Sequence, residues 1–213
     1  MKKKIKFILA GVCGLLIAVL IVLVRFADVS PIAPEGTAVG LSSLNQAVFD
    51  AIGVNMLWYD ITDWLGVSAI VTAFLFAAAG FTQMIKRRSL LKVDKEILTL
   101  GGLYAAVIGL YALFETLVVN YRPIIMPGVM KPEASFPSSH TMTVCVIMGS
   151  AMMLLGRYVK RKALCRVLRV VCAVIIGITV IGRLLSGVHW FTDIIGGLLI
   201  SAALLALYSG ISD

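Results

Sequence analysis

The sequence predicts an all-α fold, a bundle of six transmembrane helices with both termini on the cytoplasmic side. The first reason is composition: 60% of the residues are hydrophobic, 14% are charged, and the mean hydropathy is +1.01. Soluble domains hold about 45–50% apolar and about 25% charged residues. The second reason is six long runs with almost no charge, and the third is the uneven distribution of Lys and Arg around them. We expect a single membrane domain over residues 1–213.

Each of the six apolar runs is close to the length that a membrane helix requires. A helix needs roughly 20 apolar residues to cross roughly 30 Å of hydrocarbon, and flanking arginines can extend a shorter span to the interface. A cleaved signal peptide is the alternative for the first run, which follows the basic segment MKKKIK. Signal-peptide cores have about 7–15 apolar residues, and this run is longer, so we expect an uncleaved anchor. The runs predict spans at residues 7–24, 64–85, 97–121, 141–156, 168–184 and 190–208.

The basic residues predict how these spans are oriented. The chain has 19 Lys and Arg and a formal net charge of +8. With the N-terminus inside and six crossings, all but four of these cations lie on the cytoplasmic side, as the positive-inside rule requires. The excess charge then faces anionic lipid, and we expect membrane lipids rather than nucleic acid as its partner. The four cations on the outer side are Arg25, Arg122, Lys131 and Arg183.

The long outer segment between the first two spans predicts an additional helix. Apolar residues recur there at helical spacing, which is typical of an amphipathic helix that lies in the membrane interface. Aromatic residues that suit an interfacial belt follow it. We interpret this helix as an anchor, and a lid over a site is the alternative. The periodic positions are Leu41, Leu44, Val48 and Ile52, and the belt residues are Trp58, Tyr59 and Trp64.

The other two outer segments, NYRPIIMPGVMKPEASFPSSH and GRLLSGVHWF, contain both histidines of the chain. The guanidinium groups of Arg122 and Arg183 are permanently charged and can donate paired hydrogen bonds to phosphate oxygens. Ser138 and Ser139 stand where the fourth span begins, and a capped helix N-terminus binds anions. His140 would then lie on the first turn of that span.

In the last outer segment, His189 and Asp193 are four residues apart. On a helix they would share one face, so the carboxylate can orient the imidazole and leave the opposite nitrogen free as a nucleophile or base. Each candidate residue has a simpler explanation: interfacial arginines anchor a topology, serines cap helices, histidines pack, and an aspartate complements a helix dipole. Their convergence on one membrane face favours a functional site.

The three segments resemble the tripartite signature of the type 2 phosphatidate phosphatase family, integral-membrane lipid phosphate phosphatases related to vanadium haloperoxidases. The family pattern is K-x6-RP, then PSGH, then SR-x5-H-x3-D. This chain has ETLVVNYRP at 115–123, PSSH at 137–140 and GRLLSGVHWFTD at 182–193. Three ordered motifs with matching spacing make the resemblance specific.

The resemblance implies a mechanism. His189 is similar to the nucleophile that forms a phosphohistidine, Asp193 to the residue that orients it, and His140 to the general acid. Phosphate binding would fall to the two arginines and the serine turn, which are Arg122, Arg183, Ser138 and Ser139. No metal or other cofactor is implied, and two histidines with one nearby aspartate do not make a convincing metal ligand set.

The resemblance also implies a lipid phosphate substrate and an active site on the extracytoplasmic face of the cell membrane. The candidate substrates are an isoprenoid (undecaprenyl) diphosphate, phosphatidylglycerol phosphate and phosphatidate. The sequence does not choose among them.

Three positions depart from the family pattern. Gly182 replaces serine and Ser139 replaces glycine, and both exchanges keep a small residue. Glu115 stands where the family has lysine and reverses the charge. A carboxylate near the end of a membrane helix is costly without a partner, so our hypothesis is that Glu115 pairs with Arg122 or Arg183; the alternative is that it reaches outer water. Lys131 is a possible substitute for the missing cation.

Two other functional classes remain open from the sequence. A non-catalytic binder or transporter of lipid phosphates would keep the anion pocket but would not need a paired nucleophile and acid. A membrane haem protein could use the two histidines as axial ligands, but the flanking arginines and the serine cap fit phosphate better.

Overall fold

The computed structural model describes residues 2–212, and in this range it is built from seven α-helices without a named strand. Two short 3₁₀ turns, Pro34–Gly36 and Leu90–Lys92, lie in the connections. The helices are α1 (Lys3–Phe26), α2 (Ser42–Ile52), α3 (Met56–Arg87), α4 (Lys95–Thr116), α5 (Ser139–Tyr158), α6 (Lys162–Leu185) and α7 (Phe191–Ser212).

Every helix except α2 is long and apolar enough to cross a membrane. The predicted six-span, all-α fold is therefore confirmed, and the chain is a multi-pass membrane protein. Three span boundaries differ from the predicted ones by five residues or more, and one of them is the start of the fifth span, at Lys162 rather than residue 168. The second span begins at Met56 rather than residue 64, because Asn55 caps the helix by accepting a hydrogen bond from Leu57 N (3.1 Å). The third ends at Thr116 rather than residue 121, because the chain turns away to pair with the segment before α5.

Helix α5 occupies the centre of the bundle and packs against α3, α4, α6 and α7. One buried apolar cluster joins α5 to α4 and α7 around Met142 and Leu103, and another joins α5 to α3 and α6 around Ala69 and Met148. Between membrane helices, such clusters are stabilised by van der Waals packing rather than by removal of apolar surface from water. The central helix begins at the candidate motif PSSH, so the motif is built on the most enclosed element of the fold.

Helix α1 packs along α7, and the start of α1 lies beside the end of α7. Lys6 Nζ donates to the carbonyl oxygen of Ser209 (3.2 Å), and Phe7 lies against Gly210. Both termini are therefore at the same end of the bundle, as six crossings require. The candidate residues lie at the opposite end.

Helix α2 is at the position of the expected outer helix. Its inward face is mixed: Ser42 and Asn45 are buried and Phe49 packs on Trp190, whereas Leu44 is exposed. Asn45 reaches across to Thr192 at the start of α7, with its Nδ2 3.1 Å from Thr192 Oγ1. This helix therefore buttresses the end of the bundle that carries the candidate site.

The connection between α6 and α7 is five residues long and follows the backbone of the α2–α3 connection closely. Gly187 has φ +66°, and a Cβ at this position would collide with the main chain of Gly53. Ser186 O also accepts a hydrogen bond from Asn55 N (3.1 Å). A glycine is therefore required here on both conformational and steric grounds, and it fixes the loop that carries His189.

Candidate functional site

Three chain segments meet at the end of the bundle where α5 and α7 begin and α6 ends. Ser138 N donates to the main-chain oxygen of Asp193 (3.0 Å), which joins the start of α5 to the first turn of α7. The indole Nε1 of Trp190 donates to the carbonyl oxygen of Tyr121 (2.7 Å), which joins the same turn to the segment after α4. The convergence expected from the sequence is therefore present in the structure.

His189 is buried in this junction, and its tautomer follows from its neighbours. Its Nδ1 lies 3.2 Å from the carbonyl oxygen of Ser135, which can only accept a hydrogen bond, so Nδ1 carries the proton. The Asp193 carboxylate is 3.6 Å from the same nitrogen. Nε2 has no hydrogen-bond partner among the described residues. A neutral imidazole in this state presents the lone pair of Nε2 to the site.

Asp193 is fully buried and holds the loop together from the first turn of α7. Its Oδ2 accepts from the backbone N of Trp190 (2.9 Å) and from the hydroxyl of Ser135. This is the reciprocal half of a capping box, in which the third helical residue reaches back to the N-cap. The expectation of a shared helical face was wrong in detail, because His189 precedes the helix and the contact is made around its N-terminus.

Burial lowers the pKa of His189 below its usual range, and the positive charges of Arg122 and Arg183 lower it further. Hydrogen bonding and charge from Asp193 oppose this shift. The neutral form is therefore favoured at neutral pH, which is the form that a nucleophilic nitrogen requires.

Arg183 lies in the last turn of α6 and is fully buried. Its Nη2 lies 3.4 Å from Asp63 Oδ1, and its guanidinium lies 4.7 Å from the centre of the Tyr59 ring. Nε and Nη1 have no hydrogen-bond partner among the described residues. Buried donors without partners are costly, so these two nitrogens are available to donate hydrogen bonds to an anion.

Arg122 presents the same feature from the segment after α4. Its backbone N donates to the main-chain oxygen of Glu133 (3.0 Å), and its Nε lies 3.4 Å from Glu133 Oε2, an ion pair without hydrogen-bond geometry. Its buried Nη1 is also without a partner among the described residues. The two arginines and the free Nε2 of His189 thus form a group of buried polar atoms that have no ligand within the protein.

The PSSH motif stands at the start of α5 as the sequence predicted. Ser138 is the N-cap, and its hydroxyl oxygen accepts from Thr141 N (3.4 Å). Ser139 is the first helical residue and lines a cleft together with Arg122 and His189. The positive end of the α5 dipole therefore faces the same space as Arg122 and His189.

His140 lies on the first turn of α5 and has a partner that sequence reasoning missed. Its Nε2 is 2.9 Å from Oδ1 of Asp63, which also accepts from Arg183. The family pattern contains no residue from this part of the chain, and we placed Asp63 just outside the second span. A carboxylate immediately before a long apolar run, in the segment WYDITDW, was the available signal.

Two residues proposed for the phosphate site, Glu115 and Lys131, do not make the contacts that we expected of them. Glu115 lines the cleft with Arg122 but is exposed, and the described arginines pair with other carboxylates, Glu133 and Asp63. The pairing hypothesis was therefore wrong, and the alternative, that Glu115 reaches solvent, describes the structure. Lys131 is exposed and does not line the cleft.

An apolar path leads from the site into the bundle. A cavity of about 250 Å³ adjoins Ser139 and His140, and an apolar groove of about 420 Å³ lies beside it between α3, α4 and α5. Ile70, Tyr111 and Thr143 line both spaces. Ile70, Phe74 and Ile108 line the groove and are exposed, so the groove opens on the outer surface of the bundle.

Comparisons with known proteins agree with this architecture. The phosphatidylglycerophosphatase B of Bacillus subtilis (strain 168) is 30% identical over 100 residues, which are 45% of this chain and 48% of the relative. The aligned part thus spans about half the length of that relative. The crystal structure of a transmembrane PAP2 type phosphatidylglycerolphosphate phosphatase from Bacillus subtilis superposes with a TM-score of 0.67 over 94% of both chains, at 18% identity.

The six-span bundle with two histidines, two arginines and a helix N-terminus at one end defines an integral-membrane protein with a candidate anion site. The model of the PAP2 superfamily matches residues 96–212, and the chain belongs to this superfamily. The match includes every candidate residue inferred from the sequence, whereas Asp63 lies outside it.

Proposed function

We propose that the protein is a membrane phosphohydrolase that cleaves lipid phosphates or diphosphates through a phosphohistidine on His189. The observation that carries this proposal is the group of unpartnered buried atoms: Nε2 of His189 and guanidinium nitrogens of Arg122 and Arg183. An anionic tetrahedral group bound among them would satisfy these donors and place its phosphorus near the free lone pair. Family membership supports the same reaction class.

The first half of the reaction transfers the phosphoryl group to the protein. Nε2 of His189 attacks phosphorus and forms the P–N bond as the bond to the leaving oxygen breaks. Asp193 and the Ser135 carbonyl stabilise the positive charge that develops on the ring. The arginines and the N-terminus of α5 stabilise the charge on the equatorial oxygens. His140 donates a proton to the leaving oxygen.

The second half returns the protein to its starting state. A water molecule gives a proton to His140 and bonds to phosphorus as the P–N bond breaks, which releases inorganic phosphate. The chain's own groups supply each of these steps. Among residues 2–212 no group of three or more His, Cys, Asp or Glu side chains is arranged to hold a metal ion.

The groove between α3, α4 and α5 suits the lipid part of the substrate. It is almost wholly apolar and lies beside the cavity next to His140, so a phosphate in the site and a hydrocarbon chain in the groove can belong to one molecule. Phosphatidylglycerol phosphate is the first substrate to test, because both relatives are named for its hydrolysis. Undecaprenyl diphosphate and phosphatidate are the alternatives.

We also propose that the site faces the outside of the cell membrane. The N-terminal end of the bundle and the short connections at that end hold most of the 19 Lys and Arg, and the positive-inside rule assigns that end to the cytoplasm. The candidate residues lie at the other end.

Phosphate release from purified protein tests the function. Detergent-solubilised protein is incubated with the three lipids in the presence of EDTA. We expect release from at least one lipid, persistence in EDTA, and loss of release in His189→Ala. Tight binding of a lipid without release would contradict the enzyme and support a binder or transporter instead.

A further inference from the structure

Each histidine of the site has its own carboxylate, and the second of these pairs is formed by a residue outside the signature motifs. Asp193 serves His189, and Asp63 on α3 serves His140, with Oδ1 2.9 Å from Nε2. The same oxygen lies 3.4 Å from Arg183 Nη2. The Asp63 carboxylate therefore contacts both the expected general acid, His140, and an expected phosphate-binding residue, Arg183.

Helix α3 also fixes the position of the His140 ring by contact. Gly66, one turn after Asp63, lies against the ring edge that carries Cδ2 and Nε2: an added Cβ there would stand 3.1 Å from Cδ2 and 3.5 Å from Nε2. The ring is thus held along the Cδ2–Nε2 edge. Nδ1, which forms no hydrogen bond to the described residues, lies on the opposite side of the ring.

The charges around His140 make such a carboxylate necessary for acid catalysis. Arg183 of α6 and His189 of the loop before α7 act on His140 through their charges, and Tyr111 of α4 lines the same cavity as His140. A guanidinium and a second histidine both disfavour a proton on His140, whereas the Asp63 carboxylate favours it. A general acid must be protonated before the leaving bond breaks.

We propose that Asp63 is a positioning residue that orients His140 and favours its protonated form, in which His140 acts as the general acid. The proposal rests on the proposed function. In the first half-reaction, the Nδ1 proton passes to the leaving oxygen as the P–O bond breaks, while the Nε2 proton stays hydrogen-bonded to Asp63. In the second, Nδ1 takes a proton from the attacking water.

Leaving-group dependence separates this role from a structural one. Asp63→Asn is compared with wild type on two phosphate monoesters of equal chain length, one with an alkyl and one with a 4-nitrophenyl leaving group. The alkyl ester needs protonation and the nitrophenyl ester does not, so we expect kcat/KM, which reports the first half-reaction, to fall about 100-fold for the first and far less for the second. Asp63→Glu should restore part of the loss. Asp60→Asn is the matched control, because Asp60 is an exposed carboxylate one turn earlier on α3.

A spectroscopic readout keeps the test independent of turnover. The chain has two histidines, so ring-labelled histidine gives two NMR signals in detergent micelles, and His140→Gln assigns one of them. We expect His140 to lose its proton at a pH about one unit lower in Asp63→Asn than in Asp60→Asn. Absence of phosphate release from wild type would contradict the proposed function, whereas this titration would still decide the role of Asp63.

Two results would overturn the proposal. Equal losses of kcat/KM on both esters, with an unchanged titration, would make Asp63 a structural residue. Tighter binding of inorganic phosphate to Asp63→Asn, again with an unchanged titration, would make Asp63 an internal anion that competes with substrate for Arg183.

Discussion

Asn45 and Thr192 exchange two hydrogen bonds between α2 and the first turn of α7. Asn45 Nδ2 lies 3.1 Å from Thr192 Oγ1, and Asn45 Oδ1 accepts from Thr192 N at 3.2 Å. Asn45 is fully buried and its Nδ2 also donates to Gly40 O (3.0 Å). Since Asp193 is the next residue, the outer helix helps to set the turn that holds His189.

Replacement of Asn45 by Ala should therefore weaken both the fold and the site. Thr192 N is left without a partner in a buried position, which costs about 1–3 kcal/mol. We expect a lower temperature of thermal unfolding in detergent and a reduced kcat. Gln46→Ala is the control, since Gln46 bonds to Asp50 at the surface. Equal unfolding temperatures for the two variants would contradict this role.

Arg122→Lys and Arg183→Lys test whether the guanidinium forks bind the phosphoryl group. Lysine keeps the charge but cannot supply two parallel donors, and loss of one such donor lowers kcat about 10²- to 10³-fold in other enzymes. We expect losses of that order in kcat/KM for each variant. Arg25→Lys, at the end of α1 and exposed, should retain wild-type kinetics. Wild-type kinetics in either site variant would exclude that arginine from phosphate binding.

Glu115 places a negative charge on the cleft wall without neutralising an arginine. Its carboxylate therefore repels a phosphate rather than orienting a partner, and Glu115→Gln should lower KM. Glu115→Lys, which introduces the lysine of the family pattern, should lower it further, and salt should reduce the difference. Glu35→Gln removes an exposed carboxylate from the long α1–α2 connection and serves as control. A raised KM in Glu115→Gln would restore the pairing hypothesis.

The pKa of His189, which burial lowers, predicts the acid side of the pH profile. The neutral imidazole persists as pH falls through about 6.5, the usual pKa of histidine, so kcat/KM should decline only below this value. Arg122→Gln removes a charge that lowers the pKa, and the acid limb should move to higher pH. An unmoved limb would show that His189 is not the group that titrates.

The same shift has a consequence for stability. Below about pH 6.5, His189 binds a proton in the unfolded chain but stays neutral in the folded chain, because burial lowers its pKa there. The contribution of His189 to the free energy of unfolding is therefore complete above this pH and is lost as the pH falls toward the lowered folded-state value.

The spans and the signature residues were predictable because they depend on local properties. Membrane helices follow from the length of an apolar run. The signature residues could be recognised because their spacing along the sequence matches the family pattern; they are Arg122, His140, His189 and Asp193. The position of Ser138 as an N-cap follows from the polar residues before an apolar helix.

The contacts between segments were not predictable in the same way. Asp63 lies 77 residues from His140, and their hydrogen bond depends on how α3 packs against α5. The partner of Arg122 was missed because we expected Arg122 to lie on the same helix as Glu115. Helix α4 instead ends at Thr116 and the following chain turns, so that Arg122 pairs with Glu133.

Direct detection of the covalent intermediate tests the central claim. Protein is mixed with its lipid phosphate substrate, quenched in base to preserve phosphohistidine, digested and analysed by mass spectrometry. We predict phosphate on His189, accumulation of this species in His140→Gln when an aryl phosphate is used, and its absence in His189→Ala. Turnover without any phosphate on His189, or release that survives His189→Ala, would contradict the mechanism.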